Sequence, residues 1–557
     1  MMKQLFVHLL PLALLGLVAC PADNGAPPTD ATPSDTQTAD ASDAAAEPVW
    51  RGPDGSLLFG DPGPISGVTG RGSFTFGVAA AGIQIEEQSV ASDWWAWTSP
   101  APDGLGNGAF VGDAVMGYSK AVEDVGLISA MNLDLYRFTV EWSRIEPSRD
   151  QVDAAAVNHY HASIDALREA GIKPSVTIHH FSNPLWVDDF TAEPGCPDGP
   201  TDTNLCGWDH EQGGDAIVAE LAEHAAFVAS EYGDKVDNWA TLNEPVNYLV
   251  ASYGAGQFPP GKSLLLSDFE SFVRVVRNYV RAHVAIYEAI KANDTVDADG
   301  DGVAAHVGLT LSVAEFVPAR DNAVSDNPED VAARDRLRYL YHHMLVESLR
   351  QGRFDSDFDG TLDEAQEDWQ GKIDWLGVQY YFRTGVTAQT PLIPGVEGVL
   401  CYGPVDFGSC IPPEDASKWV PTMHYEFWEP GIYNVLKDFG ERWPDLPLTV
   451  AESGLAAENG TRRAEHVVRS LEQIHRAMRE GVDVRGYYHW SLMDNFEWAE
   501  GYIPRFGLYT VDRSTFERSP TLGATVLGDI AKVRQVSQEQ QDTYGGLGPM
   551  SPEPTAE

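Results

Sequence analysis

Residues 216–248 have the sequence AIVAELAEHAAFVASEYGDKVDNWATLNEPVNY, which holds one helix and one strand in succession. Ala216–Glu231 predicts an amphipathic helix, and the short apolar run Asn238–Leu242 predicts a strand that ends at Asn243 and Glu244. A helix that leads into a short buried strand is the unit from which parallel sheets wrapped by helices are built.

The same unit recurs along the chain. The predicted strands are Phe74–Ala79, Leu133–Thr139, Lys173–His179, Asn238–Leu242, Val307–Ser312, Trp375–Tyr380, Leu448–Ala451 and Val484–Trp490. The helical stretches between them include Ala154–Ala170, Ala216–Glu231, Phe269–Ala292, Ala333–Gln351 and Ala464–Glu480. This order favours an α/β fold, a single (β/α)8 TIM barrel, over an open doubly wound sheet. Neither a G-x-G-x-x-G nor a P-loop pattern follows any strand, so no nucleotide-binding fold is expected.

The two ends of the chain differ in composition from the barrel region. Residues 20–50 are rich in Ala, Asp, Pro and Thr, and residues 537–557, which end in SPEPTAE, are likewise poor in large apolar residues. Such segments bury too little apolar surface to fold. We therefore expect a disordered tether at 20–50, one barrel domain at 51–536 and a disordered tail at 537–557.

Residues 1–19 are typical of a targeting segment. Lys3 supplies a positive charge, and the apolar run after it is too short for a comfortable membrane span. Residues 17–20, LVAC, resemble the bacterial lipobox, in which the cysteine thiol (here Cys20) is acylated. The chain is then exported and lipid-anchored at the cell envelope, facing the periplasm or the exterior, and touches the membrane only through the anchor. The alternative is an ordinary signal peptide that happens to contain a cysteine.

The four other cysteines form two close pairs. Cys196 and Cys206 bracket one Gly/Pro/Asp-rich stretch, and Cys401 and Cys410 bracket another. In an oxidising compartment such pairs close into disulfides that staple loops. Zinc is the weaker alternative, because neither pair has C-x-x-C spacing and no histidine cluster accompanies them.

The charge of the chain bears on its partners. The formal net charge is −46, and phosphate binding needs clustered Lys and Arg that this chain lacks. Nucleic acid is therefore not expected as a partner, and neither is passive adsorption to anionic lipid. We interpret the acidic surface as one that keeps the protein soluble.

Polar and aromatic residues stand where the predicted strands end. In chain order they are Gln84, Arg137, Glu141, His179, His180, Asn243, Glu244, Tyr381, Glu452, Trp490, Glu497 and Trp498. Barrel enzymes place their chemistry at this end of the strands. Two carboxylates on nearly opposite sides of a barrel, ringed by aromatic and amide groups, suit sugar chemistry. Aromatic faces stack on the C–H faces of a pyranose, while amides and carboxylates bind its hydroxyls.

Several motifs resemble those of family 1 glycoside hydrolases. ATLNEPVNY around Glu244 resembles the acid/base motif, LTVAESG around Glu452 the nucleophile motif, and HWSLMDNFEWAEGYIPRFGLYTVD at 489–512 the last-strand signature. FGVAAAGIQIEE, YRFTVEWSRIEP, VTIHHFSNPLW and DWLGVQYY match in family order, and SDWWAW and GQFPPG resemble the archaeal type of β-glycosidase.

The resemblance implies a retaining mechanism by double displacement. Glu452 would attack the anomeric carbon while Glu244 protonates the leaving oxygen, and water would then cleave the glycosyl-enzyme with Glu244 acting as base. The two carboxyls would lie about 5–5.5 Å apart, too close for an intervening water. Glu244 is expected to have a raised pKa, because Glu452 is a nearby like charge in a partly dry pocket.

The other site residues also take their roles from the resemblance. Asn243 would bind the 2-hydroxyl of the sugar, and Arg137 and Tyr381 would hold Glu452 ionised. The residues expected to bind the rest of the sugar are Gln84, His180, Trp490, Glu497 and Trp498. Two alternatives stay open: Arg137 as a structural counter-ion only, and Trp490 as plain core packing.

The substrate expectation depends on Glu497. Members of the family that act on 6-phosphosugars replace this residue and add a lysine nearby, so terminal unphosphorylated β-D-hexosides are expected, as small molecules or oligosaccharides. An exo-acting β-glucosidase is the first candidate. A β-galactosidase, β-fucosidase or transglycosylase on the same fold is the alternative, as is a non-catalytic sugar-binding lipoprotein, against which the intact carboxylate pair argues. Three departures from the family motifs, Phe181, Gln379 and Ser453, bear on sugar preference.

Two acidic loops lie outside this chemistry. Asp297, Asp299 and Asp301 form one, and Asp355, Asp357 and Asp359 form the other; both have calcium-loop spacing with a turn glycine. Neither has a Glu at the twelfth position, so a solvated acidic turn is an equal alternative to a structural calcium site. No cofactor is expected for catalysis.

Overall fold

The structure, a computed structural model, describes residues 50–192, 196–392, 396–401, 406–458 and 460–553. The expected signal peptide, Cys20 and nearly all of the expected tether lie outside these residues. Trp50, the last residue of that tether, already packs on His475, with ring centroids 5.8 Å apart.

Among the described residues, eight parallel strands close into a barrel. They are β1 (Thr75–Ala79), β2 (Leu135–Thr139), β3 (Lys173–His179), β4 (Asn238–Asn243), β5 (His306–Arg320), β6 (Trp375–Thr387), β7 (Leu448–Ser453) and β8 (Val484–Trp490). Each strand pairs with the next in chain order, and β8 pairs with β1. The (β/α)8 prediction is confirmed.

Helices lie outside the barrel, between its strands and after β8. They are α1 (Ala121–Ala130), α2 (Ala154–Glu169), α3 (Glu211–Tyr232), α4 (Phe269–Asn293), α5 (Pro328–Arg338), α6 (Met344–Gln351), α7 (Pro430–Arg442), α8 (Gly460–Arg479), α9 (Leu522–Val533) and α10 (Gln538–Tyr544). The helix predicted over Ala333–Gln351 is two helices, joined by a π-helical turn at Tyr339–His343. In the described part of the chain, no helix has both the length and the apolar character to cross a bilayer.

Shorter elements decorate the ends of the barrel. Short α-helices are Gly82–Ile85, Asp93–Thr98, Trp142–Ile145, Pro245–Leu249 and Leu264–Ser267. Short strands are Leu57–Leu58, Ala323–Val324, Arg353–Phe354, Glu364–Ala365, Val399–Leu400, Trp419–Val420, Tyr425–Glu426, Tyr509–Asp512, Glu517–Pro520 and Gln535–Val536.

Strands β5 and β6 run well past their predicted ends at Ser312 and Tyr380. Beyond the barrel they continue to pair with each other, from Arg383 opposite Glu315 to Val386 opposite Pro318. This pairing is tertiary, so the local sequence pattern did not indicate it. The two strands therefore project together beyond the closed barrel at its carboxyl end.

The prediction of a disordered tail at 537–557 is wrong for residues 537–553. Ser537 begins α10 with a capping box, in which its hydroxyl and the Gln540 side chain satisfy each other's backbone N–H groups. Met550 is only 4% exposed and lies in the main hydrophobic core. One apolar anchor and specific backbone contacts thus order a segment of polar composition. Residues 554–557 lie outside the described residues.

Both expected disulfides are formed. Cys196 bonds to Cys206, in the loop between β3 and α3, and Cys401 bonds to Cys410, in the loop after β6. Both loops follow the carboxyl ends of barrel strands. The two crosslinks therefore staple loops on the face where the strand-end polar residues gather.

Candidate active site

Glu452, at the end of β7, is held by three hydrogen-bond donors. Arg137 Nη1 and Gln379 Nε2 donate to its Oε1 at 2.6 and 2.7 Å, and the Tyr381 hydroxyl donates to Oε2 at 2.7 Å. Burial raises the pKa of the Glu452 carboxyl, while the Arg137 charge and the Tyr381 hydrogen bond act against that rise. A carboxylate with a buried cation on one oxygen and a phenol on the other is stabilised in its ionised form.

Glu244 stands at the end of β4 in different surroundings. Its carboxyl accepts one hydrogen bond, at 2.9 Å, from the neutral amide of Asn247, whose Oδ1 accepts in turn from the Tyr341 hydroxyl at 2.6 Å. Burial, followed by the nearby Glu452 charge, raises the pKa of Glu244 to about 8. The two carboxyls therefore hold their protons differently: the three donors favour the ionised form of Glu452, whereas Glu244 keeps its proton up to about pH 8.

The backbone at Glu244 is left-handed, with φ 41° and ψ 61°. Its N–H donates to the carbonyl of Thr310 on the neighbouring strand at 3.0 Å, and Pro245 then starts a short helix with its preset φ. Non-glycine residues adopt this conformation only where the surroundings enforce it, and such sites concentrate where function needs them. The turn directs the carboxyl into the pocket in place of continuing the strand.

Asn243 lies between the two sides of the pocket. Its Oδ1 accepts hydrogen bonds from Arg137 Nη2 at 2.6 Å, Gln379 Nε2 at 2.8 Å and the Thr310 hydroxyl at 3.0 Å. The amide orientation is therefore fixed, and Nδ2 donates to His180 Nε2 at 3.0 Å. Burial lowers the pKa of His180 well below its usual value, so the ring is neutral and Nε2 can accept.

Gln84 and Glu497 form a polar corner on the same end of the barrel. Gln84 Nε2 donates to the Phe496 carbonyl at 2.8 Å and to Glu497 Oε2 at 3.3 Å. Removal from water, and then the Glu452 charge, raises the pKa of Glu497 to about 8. Gln84 Oε1 is buried and has no partner among the described residues. An amide and a carboxyl with spare capacity suit neighbouring sugar hydroxyls.

Aromatic rings form the walls. The rings of Trp490 and Trp498 each lie 5.9 Å from His180 in stacked orientation. Phe181 packs 5.2 Å from Trp498, and both have positive φ, 62° and 45°. Trp94 supports Trp498 from behind at 5.0 Å. Flat rings fixed on several sides offer rigid faces for a pyranose.

The structure thus brings the ten expected sugar-pocket residues to one end of the barrel, although their roles stay predictions. It adds residues that the sequence reasoning did not place in the site, chiefly Gln379, Asn247 and Tyr341. Gln379 was noted only as a departure from the family motif, yet it contacts both Glu452 and Asn243. Asn247 carried a usable signal, because it lies one helical turn after Glu244 and side chains at that spacing meet.

One acidic loop converges as expected. Asp355, Asp357 and Asp359 bring carboxylate oxygens within 4.8 Å of one another. The loop follows α6 and precedes β6, so it lies at the end of the barrel opposite the pocket. Oxygen ligands at this spacing suit a hard divalent cation such as calcium.

The other acidic loop departs from expectation. The group that converges is Asp237, Asp297 and Asp299, with Asp237 where Asp301 was expected. Asp301 Oδ2 instead lies 2.8 Å from His306 Nε2, and Asp299 pairs with Lys173 at 2.8 Å. Asp299 and Asp301 thus already contact basic side chains of this chain, and each of these side chains stands at the start of a barrel strand.

A profile of the family described as "Glycosyl hydrolase family 1" matches residues 69–535, which is most of the chain. The chain belongs to glycosyl hydrolase family 1. It is accordingly a glycoside hydrolase, and the family assignment agrees with the carboxylate pair and the polar and aromatic pocket around it.

The alignments with relatives in family 1 cover nearly the full length of each relative. A protein named beta-galactosidase from Pyrococcus woesei is 28% identical over 494 residues, 80% of this chain and 94% of its own. Beta-glucosidase A from Thermotoga maritima is 29% identical over 472 residues, again 80% and 94%. The solved structure of a beta-glycosidase from Pyrococcus horikoshii superimposes with a TM-score of 0.69 at 28% identity, covering 86% of this chain and 98% of its own.

Proposed function

We propose that this family 1 enzyme is a retaining, exo-acting β-glycosidase that hydrolyses terminal unphosphorylated β-D-hexosides, with Glu452 as nucleophile and Glu244 as acid/base. One observation carries the assignment. Glu452 accepts hydrogen bonds from three donors, the Arg137 guanidinium among them, that favour its ionised form, whereas Glu244 accepts one from a neutral amide and has a pKa raised to about 8. A nucleophile and a proton donor need this division.

In the first step the Glu452 carboxylate forms a bond to the anomeric carbon, and the bond from that carbon to the leaving oxygen breaks. Glu244 transfers its proton to that oxygen, so the aglycone leaves as a neutral alcohol. Arg137 and Tyr381 hold Glu452 in place for attack. The locked Asn243 amide, with Arg137 and Gln379 on its oxygen, presents Nδ2 toward the sugar beside His180.

In the second step water attacks the anomeric carbon of the glycosyl-enzyme ester. Glu244, now ionised, takes one proton of the water, and the carbon–oxygen bond to Glu452 breaks. Both carboxyl groups return to their starting protonation states. Two inversions at one carbon leave the configuration retained.

The sugar is proposed to be an unphosphorylated hexose, with β-glucosides tested first. Glu497 and Gln84 offer hydrogen-bonding groups to its hydroxyls, whereas a phosphate would meet the Glu497 carboxyl. Arg505, a cation of the same motif, pairs with Glu458 at 3.0 Å. β-Galactosides are the second candidate, because the relatives include proteins named beta-galactosidase as well as beta-glucosidase.

The decisive experiment uses azide rescue on two variants. Glu452→Ala should lose activity on aryl β-glycosides by several orders of magnitude, and azide should restore turnover with an α-glycosyl azide as product. Glu244→Ala, with an activated leaving group, should instead yield the β-glycosyl azide. The configuration of the product identifies which carboxyl each variant lacks.

Glu500→Ala is the matched control, because Glu500 is an exposed glutamate of the same motif. It should keep wild-type activity. If Glu452→Ala retained full activity, or if both azide products had the same configuration, the assignment of the two carboxyls would be wrong.

We also propose export with a lipid anchor at Cys20. The lipobox-like LVAC supports it, as do the two disulfides, since such bonds persist in oxidising compartments. Mass spectrometry of the mature N-terminus should find an acylated cysteine, and an unmodified N-terminus at another residue would contradict the anchor. A structural calcium ion on Asp355, Asp357 and Asp359 is proposed as a stabilising element only.

A further inference from the structure

The chain continues past residue 535, where the match to the family profile ends. After α10, residues 545–553 lie along α8, and we name this segment the C-terminal strap. Met550 anchors it in the main core, and the Met550 N–H donates to the Ser417 hydroxyl at 2.8 Å. The strap is a part of this chain beyond the family domain that folds back onto the domain.

The strap supplies acceptors to two buried cations. Arg469 Nη1 donates to the Gly548 carbonyl at 2.7 Å, and Lys418 Nζ donates to the Leu547 carbonyl at 2.9 Å. Both cations also pair with Glu429, at 2.6 and 2.7 Å. Two buried positive charges thus share one carboxylate, and the strap carbonyls satisfy donors that would otherwise be left without a partner in a dry environment.

One of these cations belongs to a segment that reaches the active site. Lys418 lies in residues 414–429, the stretch before α7. From the same stretch, the Trp428 carbonyl accepts a hydrogen bond from the Tyr380 hydroxyl at 2.6 Å. Tyr380 precedes Tyr381, whose hydroxyl donates to the nucleophile. The strap is therefore linked through this segment to Tyr380 in β6, the residue before Tyr381.

The end of the strap holds a second segment. Glu553 Oε2 accepts from the Glu458 N–H at 3.2 Å, and Glu553 Oε1 lies 3.2 Å from Arg462 Nε. Glu458 is in the loop that connects the nucleophile strand β7 to α8. The strap thus contacts the loops that follow both β6 and β7, the strands that carry Tyr381 and Glu452.

Between the two segments the packing is continuous. The Ser453 hydroxyl donates to the Tyr380 carbonyl at 2.9 Å and lies 3.3 Å from His466 Nε2. The His466 ring packs on Phe427 of the 414–429 segment, with centroids 4.6 Å apart. A displacement of either segment would therefore be transmitted to the residue next to Glu452.

We propose that the C-terminal strap is a positioning element for the nucleophile, fixing the loops on both sides of Glu452 by backbone and ion-pair contacts. The inference rests on the proposed function, which makes Glu452 the nucleophile. It assigns a catalytic consequence to residues that never touch the substrate.

The test is a truncation that removes residues 546–557, with removal of residues 554–557 alone as the matched control. Misplacing reacting groups by 1 Å costs about 100-fold in rate, so kcat of the long truncation should fall by about tenfold to a hundredfold. The acid limb of its pH profile should move to higher pH, because Glu452 is held less firmly by its donors. A synthetic peptide of residues 546–553 added in trans should restore part of kcat and move the acid limb back toward its wild-type pH. The short truncation should match the wild type.

Glu553→Gln and Glu553→Ala keep the inference testable if the long truncation does not fold. Both should lower kcat more than they raise KM, with the larger effect for alanine. If the melting temperature fell while kcat and the pH profile stayed at wild-type values, the strap would be merely structural and the inference wrong. An inactive wild type on all β-glycosides would instead count against the proposed function, so the two failures are distinguishable.

Discussion

The β4 side and the β7 side of the pocket present the same functional group in opposite surroundings. Glu452 on β7 receives a guanidinium, an amide and a phenol, whereas Glu244 on β4 receives a single amide from Asn247. Both are buried, so burial alone does not separate them. The hydrogen-bond donors separate them, because they favour a negative charge on Glu452, and that charge raises the pKa of Glu244.

In this pocket, therefore, neither residue type nor strand position is enough to assign a role to a carboxyl. Each carboxyl depends on the other, because Glu244 keeps its proton partly through the charge on Glu452. The pair titrates as one coupled system, and a change on the β7 side must be felt on the β4 side.

Apart from loss of the nucleophile itself, the largest effect is expected from removing the proton donor. Glu244→Gln should lower kcat/KM on substrates with poor leaving groups by about 10²- to 10⁴-fold, but far less on dinitrophenyl glycosides, which need no protonation. In the wild type Glu244 must be protonated, so activity should fall as pH rises through about 8. That alkaline limb should vanish in the variant. Equal losses on both substrate classes would contradict the division of roles.

The next largest effect should come from removing Arg137, whose guanidinium donates to both Glu452 and Asn243. Arg137→Met leaves Glu452 without its ion pair, and losing one partner of a buried pair costs about 3–5 kcal/mol. If that loss falls on the transition state, kcat/KM drops by roughly 10²- to 10³-fold or more. The acid limb should shift upward, because Glu452 then holds its proton to higher pH.

Arg350→Met is a suitable control for this substitution, because Arg350 makes a surface ion pair with Asp445. It should leave both kcat/KM and the pH profile unchanged. An Arg137→Met enzyme with an unshifted acid limb would show that the guanidinium is a structural counter-ion only.

A smaller effect is expected at Gln379, which donates to both Glu452 and Asn243. Hydrogen bonds to charged groups contribute about 1.5–3 kcal/mol, so Gln379→Leu should lose about tenfold to a hundredfold in kcat/KM. Gln379→Asn is one methylene shorter and should keep part of the activity. Steady-state kinetics of both variants measure this, and wild-type rates for the leucine variant would remove Gln379 from the nucleophile's support.

The smallest effect concerns carboxylates that take no part in the chemistry. Chelation with EDTA should lower the melting temperature by a few degrees without changing kcat/KM at 25 °C, if calcium is held by Asp355, Asp357 and Asp359. A variant with Asp357→Asn and Asp359→Asn should melt at the same temperature with or without EDTA. An unchanged wild-type melting curve would leave this loop an acidic turn.

The sequence predicted the barrel because its signals are local: each strand is a short apolar run, and each helix has its own period. Strand starts agree to within a few residues, for example Lys173–His179 and Val484–Trp490. The extension of β5 and β6 was missed because the two strands support each other only in three dimensions. The tail was missed for a similar reason, since Met550 is ordered by the core it enters.

The candidate site was predictable to the extent that strand ends and motifs define it. The partners of each carboxyl were less so. Gln379 stood out only as an unusual residue, because its reach to two acceptors depends on the spacing of β4, β6 and β7. In one acidic loop Asp237 takes the place expected for Asp301, because Asp301 contacts His306. His306 lies outside the loop motif, so the spacing of the loop could not indicate this contact.

The left-handed backbone at Glu244 implies a conflict between durability and turnover. An L-residue with a side chain loses about 1–2 kcal/mol in this conformation, which glycine and asparagine tolerate better. The raised pKa of this carboxyl adds a second penalty, which grows as pH rises from about 4.5 toward about 8, because the unfolded chain loses the proton in this range while the folded state keeps it. Glu244→Asn should therefore be inactive but have a higher melting temperature than the wild type, and the difference should be larger at pH 8 than at pH 5. At this position the geometry that the proposed reaction needs therefore lowers the stability of the fold.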